Sequence, residues 1–255
     1  MRGTPRHRAG TLLQRTVEAI GRAIVNGAYE PRSILPVEDA LAAQFAVGRN
    51  VIREAIKILG EKHLLRTERR TGTTVLPGAE WNFLDQEVIA WTLENDHARD
   101  RIIDELATLR AIVEPEVAAL AARSASATQV LRLFEAVERM ESASAEIATV
   151  EADIAFHERL FEATGNRLLF SLMRTVAAVL HANFELSIRV KQDIPQFLSE
   201  HRALAEAVRL GNAARARAIM RDLLVNNARH VAMMRSLDKR AVGQTPDDRD
   251  GVRLL

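Results

Sequence analysis

Apolar residues recur every three or four positions in the first quarter of the chain, which is the spacing of one face of a helix. The pattern predicts three helices, over residues 12–26, 37–45 and 49–60. Two short apolar stretches, 64–67 and 73–76, predict strands joined by a turn. This order of elements is typical of a winged helix-turn-helix, which we place at residues 12–77.

The third of these helices is the candidate DNA-reading element. Its predicted buried stripe consists of Val51, Ala55, Ile58 and Leu59. Four polar residues lie off that stripe and are predicted to contact DNA: Arg49, Asn50, Arg53 and Lys57. Arginine and asparagine make forked contacts with guanine and adenine edges from the first turns of a recognition helix. Taken alone, the stretch is more simply interpreted as an ordinary amphipathic helix whose arginines are solvated, and the surrounding elements favour the DNA-reading interpretation.

The turn between the two predicted strands is basic. It carries Arg69, Arg70 and Thr71 before Gly72, and Arg69, Arg70 and Gly72 are predicted to contact phosphates or the minor groove. The charge balance agrees, since residues 1–80 carry 13 Lys and Arg against 8 Asp and Glu, whereas residues 81–255 carry 22 against 26. A basic first third on an acidic remainder fits a nucleic-acid-binding module joined to a second domain.

The rest of the chain has helical periodicity throughout. A linker is predicted over 78–84, followed by an all-helical domain, an antiparallel bundle, over 85–236. Its predicted helices span 85–93, 100–122, 127–140, 145–164, 167–188, 195–210 and 213–235. The fold class is therefore mainly α, with a flexible arm at 1–11 and a disordered tail at 237–255.

Composition removes several classes of function. There is no cysteine, which excludes disulfides and thiolate metal sites. The aromatic content of 4% within 47% hydrophobic residues suits packed helices better than a sandwich or barrel. We expect a cytoplasmic protein without membrane contact, because no apolar run of transmembrane length and no apolar signal core is found.

A cluster of ligand-type residues points into the predicted bundle. Asp153 and His157 lie one helical turn apart on a face that also carries apolar residues, and His201 lies on the apolar face of a later helix. A carboxylate and two imidazoles from separate helices can bind zinc, nickel or manganese. A structural hydrogen bond between the aspartate and a histidine is the alternative interpretation.

The first domain resembles the DNA-binding domain of the GntR family of bacterial transcription regulators. The resemblance rests on Leu35-Pro36-Val37-Glu38, on the core Arg49-Asn50-Val51-Ile52-Arg53-Glu54-Ala55, and on Arg70-Thr71-Gly72-Thr73. It implies that Arg49 and Arg53 contact operator bases and phosphates. Gly48 and Asn50 depart from the commoner serine and threonine, which implies a different operator rather than a loss of DNA binding.

The second domain resembles the FCD effector domain of the FadR subfamily. The matching segments are 109–122, 153–157, 165–166 and 200–204. The resemblance implies a divalent metal at Asp153, His157 and His201. A fourth family ligand, a histidine in the last helix, is replaced by Leu223, and His230 is predicted to be too distant to substitute.

The same resemblance implies an effector site at the metal cluster. It would consist of Arg110, Asp153, His157, Asn166 and His201. Arg110 would bind an effector carboxylate through two parallel hydrogen bonds. A salt bridge from Arg110 to Glu114 or Glu116 is the alternative, and Asn166 is in the first place a helix cap. Periodicity adds His181, Asn183 and Arg189 as further lining residues.

Residues 81–96 are similar to the interdomain region of the galactonate-operon repressors of that subfamily, which implies a sugar acid such as galactonate. The sequence thus leads to one hypothesis: a homodimeric repressor that leaves its double-stranded operator when a small carboxylate binds. The alternatives are a regulator with another organic acid, amino acid or acyl-CoA as effector, and a metal-dependent hydrolase.

Overall fold

The computed structural model of the chain describes residues 11–182 and 194–242. It divides into two compact units, Met1–Ile103 and Asp104–Leu255. Apart from Thr11, the predicted arm lies outside the described residues, as does most of the predicted tail. The described part of the chain is mainly helical with one small sheet, as the sequence predicts. Among its helices, none is both long and apolar enough to cross a membrane.

The first unit is built on three helices and a hairpin. Its elements are α1 (Leu12–Val25), α2 (Glu38–Gln44), α3 (Arg49–Glu61), β1 (Leu65–Glu68), β2 (Gly72–Val75) and α4 (Gln86–Glu94). Thr11 begins α1 with a capping box to Gln14, which satisfies amides that the helix leaves unpaired. β1 and β2 are antiparallel, with Leu65 opposite Val75, and Ile34 adds a bridge to Thr74.

The buried face of α3 differs from the predicted stripe at two positions: Ile52 takes the place of Val51, and Ile58 is only half-buried. Ile52, Ala55 and Leu59 are fully buried, whereas Val51 is only half-buried. Both choices have helical spacing, and the apolar residues Val51 and Ile52 are adjacent, so periodicity alone selected the wrong one. The polar side of α3 remains exposed in either register.

The segment after the hairpin packs into the first unit. The Trp81 indole donates a hydrogen bond to the carbonyl of Leu76 over 2.9 Å, and the Trp91 ring is 3% exposed in the core with Ile20 and Ile24. The predicted boundary at residue 85 assigned α4 to the effector domain. The structure instead packs α4 against α1, because Val88 and Trp91 complete the core of the winged helix.

The described helices of the second unit form a bundle. They are α5 (Asp96–Ser124), which begins in the first unit, α6 (Ala127–Ser142), α7 (Glu146–Ala163), α8 (Arg167–Ala182), α9 (Ile194–Arg209) and α10 (Ala213–Val242). The core contains Phe156, Leu160, Phe161 and Met173. α10 continues to Val242, so the first residues of the predicted disordered tail are helical; lysine, arginine and alanine there are good helix formers.

Candidate functional site

The polar side of α3 presents the residues predicted to read DNA. Arg49, Asn50, Arg53 and Lys57 are all exposed. Two carboxylates of α2 hold the arginines: Nε of Arg53 lies 2.6 Å from Oε2 of Glu38, and Arg49 pairs with Asp39. The short helix therefore supports the reading helix by charge as well as by packing.

The wing tip is exposed from Arg69 to Gly72. Arg70 and Gly72 adopt positive φ angles of 76° and 96°, which reverse the chain between β1 and β2. A Cβ atom at Gly72 would lie 3.3 Å from Cγ2 of Ile34. The structure thus gives Gly72 a backbone role in the turn, which leaves Arg69 and Arg70 as the side chains that could reach DNA.

In the second unit, α7 and α9 bring together the three predicted metal ligands. Nε2 of His201 lies 3.0 Å from Oδ1 of Asp153, and Nε2 of His157 lies 3.6 Å from the same oxygen. One ligand atom from each residue lies within 4.8 Å of the other two. The two histidines are buried, and Phe156 and Phe197 pack against the ring of His201. The cluster is therefore compact and largely shielded from water.

Glu114 also belongs to this cluster, although the sequence singled it out only as a possible partner of Arg110. It is 1% exposed and accepts hydrogen bonds from Nε of Arg110 over 2.5 Å and from Nη2 over 3.3 Å. Its Oε2 also lies 2.9 Å from Nδ1 of His157. The salt-bridge alternative for Arg110 is thus what the structure shows. The signal available in the sequence was the one-turn spacing of an arginine and a glutamate.

These charges shape one another. Burial works to raise the pKa of the Glu114 carboxyl, but the positive charge and hydrogen bonds of Arg110, together with the nearby His157 ring, outweigh it and hold that pKa at about 2. Burial works to lower the pKa of the Arg110 guanidinium, and the Glu114 carboxylate outweighs it, so that pKa is raised. A buried charged pair, rather than two neutral groups, therefore lies beside His157.

The neighbours of the two imidazoles indicate which nitrogens carry hydrogen. Nδ1 of His201 lies 2.8 Å from the carbonyl oxygen of Phe197, and Nδ1 of His157 faces the Glu114 carboxylate. Since both neighbours can only accept, we assign the ring hydrogen to Nδ1 in both residues: it donates to the Phe197 carbonyl in His201 and lies beside the Glu114 carboxylate in His157. Nη2 of Arg110, which can only donate, lies 3.4 Å from Nε2 of His157 and agrees with this assignment. Both Nε2 lone pairs then face the Asp153 carboxylate.

Three acceptor atoms that converge in a buried space repel one another unless a cation or a proton lies between them. Two imidazoles and one carboxylate are a ligand set for zinc and for other divalent transition metals. The residues present thus fit a metal of the kind that the sequence analysis named. Such a set leaves coordination positions for an oxygen ligand from outside the protein.

The remaining predicted site residues have other surroundings. Leu223, which the family resemblance matches to the fourth ligand, is buried. Asn166 is exposed and caps α8, its Oδ1 accepting from the amides of Leu168 and Leu169, so contact with an effector stays a prediction. The side chains of His181, Asn183, Arg189 and His230 lie outside the described residues.

Comparison with known families agrees with the division of the chain into a winged-helix unit and a helical bundle. Residues 12–75 match the family of bacterial regulatory proteins called gntR, and residues 105–226 match the FCD domain. The galactonate operon transcriptional repressor of Escherichia coli is 36% identical over 197 residues, which cover 76% of this chain and 86% of that protein. The chain belongs to the GntR family.

One further relative and one solved structure extend the comparison. The putative L-lactate dehydrogenase operon regulatory protein of Escherichia coli is 31% identical over 193 residues, which cover 73% of each chain. The solved structure of Lar from Listeria monocytogenes has a TM-score of 0.60 at 15% identity and covers 89% of this chain and 99% of that one, which shows a shared fold. The GntR regulator described here is therefore a DNA-binding transcription regulator of the FadR-like type, and the hydrolase alternative is excluded.

Proposed function

We propose that this GntR regulator is a repressor that leaves its operator when a small hydroxy acid binds at the Asp153–His157–His201 cluster. The observation that supports this proposal most is the convergence of three acceptor atoms within 4.8 Å beside a buried arginine. A sugar acid is the preferred effector class, with galactonate the first candidate, because a galactonate operon repressor is 36% identical over most of its length.

The DNA side of the proposal rests on α3 and the wing. Arg49 and Arg53 would exchange Asp39 and Glu38 for guanine edges and phosphates, and Arg69 and Arg70 would reach the backbone. We infer a homodimer on a palindromic operator, since two recognition helices related by a two-fold axis require a two-fold site. Binding to chromosomal DNA would place the protein in the cytoplasm.

The effector side rests on charge. A bound divalent metal would neutralise the three convergent acceptors and act as a Lewis acid toward effector oxygens. Asp153, His157 and His201 would hold it. Nε and Nη2 of Arg110 are engaged by Glu114, which leaves Nη1 to meet an effector carboxylate. A polar, charged site of this kind selects small oxygen-rich acids over long acyl chains.

For the effector to release DNA, it must prefer one conformation of the protein over another. The effector must bind more tightly to the arrangement of the protein that does not fit the operator, since equal binding to both would leave DNA affinity unchanged. A typical coupling of about 1–3 kcal/mol would weaken operator binding by roughly 5- to 150-fold. We expect a galactonate effect in this range.

The test uses a duplex selected from a random library for binding to the full-length protein. Fluorescence anisotropy would measure the affinity for this duplex with and without galactonate, in the presence of zinc, nickel or manganese. We expect galactonate to weaken binding in the wild type. His157→Ala should bind DNA normally but lose the response, whereas Arg202→Ala, which breaks an exposed pair with Glu141, should keep it.

L-lactate is the second candidate, because the relative named for an L-lactate dehydrogenase operon is 31% identical. Lactate and galactonate share an α-hydroxy carboxylate, so the same cluster could bind either acid. Lactate therefore forms a separate arm of the anisotropy experiment. A response to lactate alone would replace galactonate, and failure of both acids to change the affinity would refute the effector class.

A further inference from the structure

The proposal above uses Glu114 only as the partner of Arg110, yet it is among the most deeply buried charged residues described. Its side chain is 1% exposed, on the turn of α5 that follows Arg110. A carboxylate buried to this degree is costly unless each of its oxygens has a donor. Both oxygens of Glu114 accept a hydrogen bond from Arg110, and Oε2 also lies 2.9 Å from Nδ1 of His157, so Glu114 contacts two residues with different roles in the proposed site.

We infer that Glu114 is a positioning residue that fixes the tautomer of His157 and thereby aims its Nε2 lone pair at the metal position. This inference rests on the proposed function for the identity of the site. Oε1 accepts from Nε of Arg110 over 2.5 Å, and Oε2 lies 2.9 Å from Nδ1 of His157. Arg110 thus holds the carboxylate, and the carboxylate holds the imidazole.

The contact matters because a neutral imidazole has one hydrogen and two nitrogens. With the hydrogen on Nδ1, Nε2 is free to bind a metal together with Asp153 and His201. With the hydrogen on Nε2, the same nitrogen would be a donor toward Asp153 and could not coordinate. Carboxylates that accept from the second nitrogen of a ligating histidine affect metal affinity by roughly 10- to 100-fold.

Glu114→Gln tests this role with almost no change in volume. Arg110 has only donors, so the amide oxygen must face it, and the amide NH₂ group must then face Nδ1 of His157. The NH₂ group can only donate, so Nδ1 must become an acceptor and the hydrogen must move to Nε2. The substitution should therefore invert the tautomer while keeping a donor opposite an acceptor on each side of residue 114.

The matched control is Glu116→Gln, on the same helix two residues later. Glu116 is exposed and pairs with Arg217, with Nη2 lying 2.6 Å from Oε2. It makes the same chemical change without contact to the described cluster. Wild type and both variants would be prepared as full-length, metal-free protein.

Two measurements read out the role directly. Long-range ¹H–¹⁵N spectra of metal-free protein report which nitrogen of His157 carries hydrogen, with His157→Gln used to assign its signals. We expect Nδ1–H in the wild type and in Glu116→Gln, and Nε2–H in Glu114→Gln. Titration with zinc alone should show roughly 10- to 100-fold weaker binding in Glu114→Gln and unchanged binding in Glu116→Gln.

Each outcome decides the inference. Nε2–H in wild-type His157 would overturn it, and this result does not depend on whether Glu114→Gln folds. Equal zinc affinity of Glu114→Gln and wild type would also overturn it. If zinc binds and the tautomer inverts while no hydroxy acid releases the operator, the role of Glu114 stands and the proposed effector fails.

Discussion

Substitution of Gly21 by alanine tests whether α4 belongs to the fold of the DNA-binding unit. The added Cβ atom would lie 2.3, 2.6 and 2.7 Å from three atoms of the Trp91 ring. Real Cβ contacts essentially never fall below 3.0 Å, so either the ring or the helix must move. The ring has little room to move, because it is 3% exposed in the core beneath α4.

The magnitude follows from a comparison of two glycines. Gly60 also lies inside a helix, α3, but a Cβ atom there would meet its nearest neighbour, the Leu65 carbonyl oxygen, at an ordinary 3.7 Å. Gly60→Ala should raise the free energy of unfolding by about 0.5–1 kcal/mol through helix propensity. Gly21→Ala gains the same stabilisation from helix propensity. The difference in the free energy of unfolding between the two variants is therefore the cost of overpacking against Trp91, about 1–3 kcal/mol.

Urea denaturation followed by tryptophan fluorescence measures this difference. The chain has two tryptophans, Trp81 and Trp91, and both lie in the first unit, so the signal reports that unit alone. We expect Gly21→Ala to unfold at a lower urea concentration than the wild type and Gly60→Ala at a higher one. Equal stability of the two variants would refute the packing of Trp91 on α1.

Three further predictions concern the charged residues and Leu223. Arg53→Ala should weaken operator binding, and Arg49→Ala should also relax base preference by about 1–3 kcal/mol. Fluorescence anisotropy with single-base variants of the operator measures both effects. If both variants bind like the wild type, the assignment of α3 as the recognition helix is wrong. Because the folded pKa of Glu114 is about 2 and its ordinary value is 4.5, its contribution to stability should fall as pH drops from 4.5 toward 2, by about 3 kcal/mol in total. Urea midpoints measured against pH by circular dichroism, which reports the helices of both units, should show a shallower loss of stability in Glu114→Gln, and parallel curves would count against the buried pair. Leu223→His should raise the affinity for zinc in calorimetry if a fourth ligand is missing, and unchanged affinity would place Leu223 away from the metal.

Local patterns in the sequence were sufficient for the architecture of the winged helix. Helical spacing and the short apolar stretches of the hairpin each depend on neighbouring residues only, so they can be recognised without knowledge of the fold. The error at Val51 and Ile52 is of the same local kind, since two adjacent apolar residues both fit the period and only tertiary packing selects one.

The site was predictable only in part, because some of its contacts join residues close in sequence and others join residues on different helices. Asp153 and His157 share one turn of α7, and that spacing shows in the sequence. The contact of Glu114 with His157 joins residues on two helices, and no local pattern contains it. Likewise, the packing of Trp91 on Gly21 depends on the path of the chain between α1 and α4, which periodicity does not describe.

The docking of α4 also sets where this regulator can be divided. A hybrid protein that joins its DNA-reading half to another sensor would be cut after residue 77 if the helix-turn-helix motif alone defined the module. Such a cut would remove Val88 and Trp91 and expose the apolar surface of α1 against which they pack. Exposed apolar surface of this kind favours aggregation. A cut after Asn95, whose amide donates to the Val25 carbonyl over 2.9 Å, keeps the module whole. The transferable unit is therefore the winged helix together with α4.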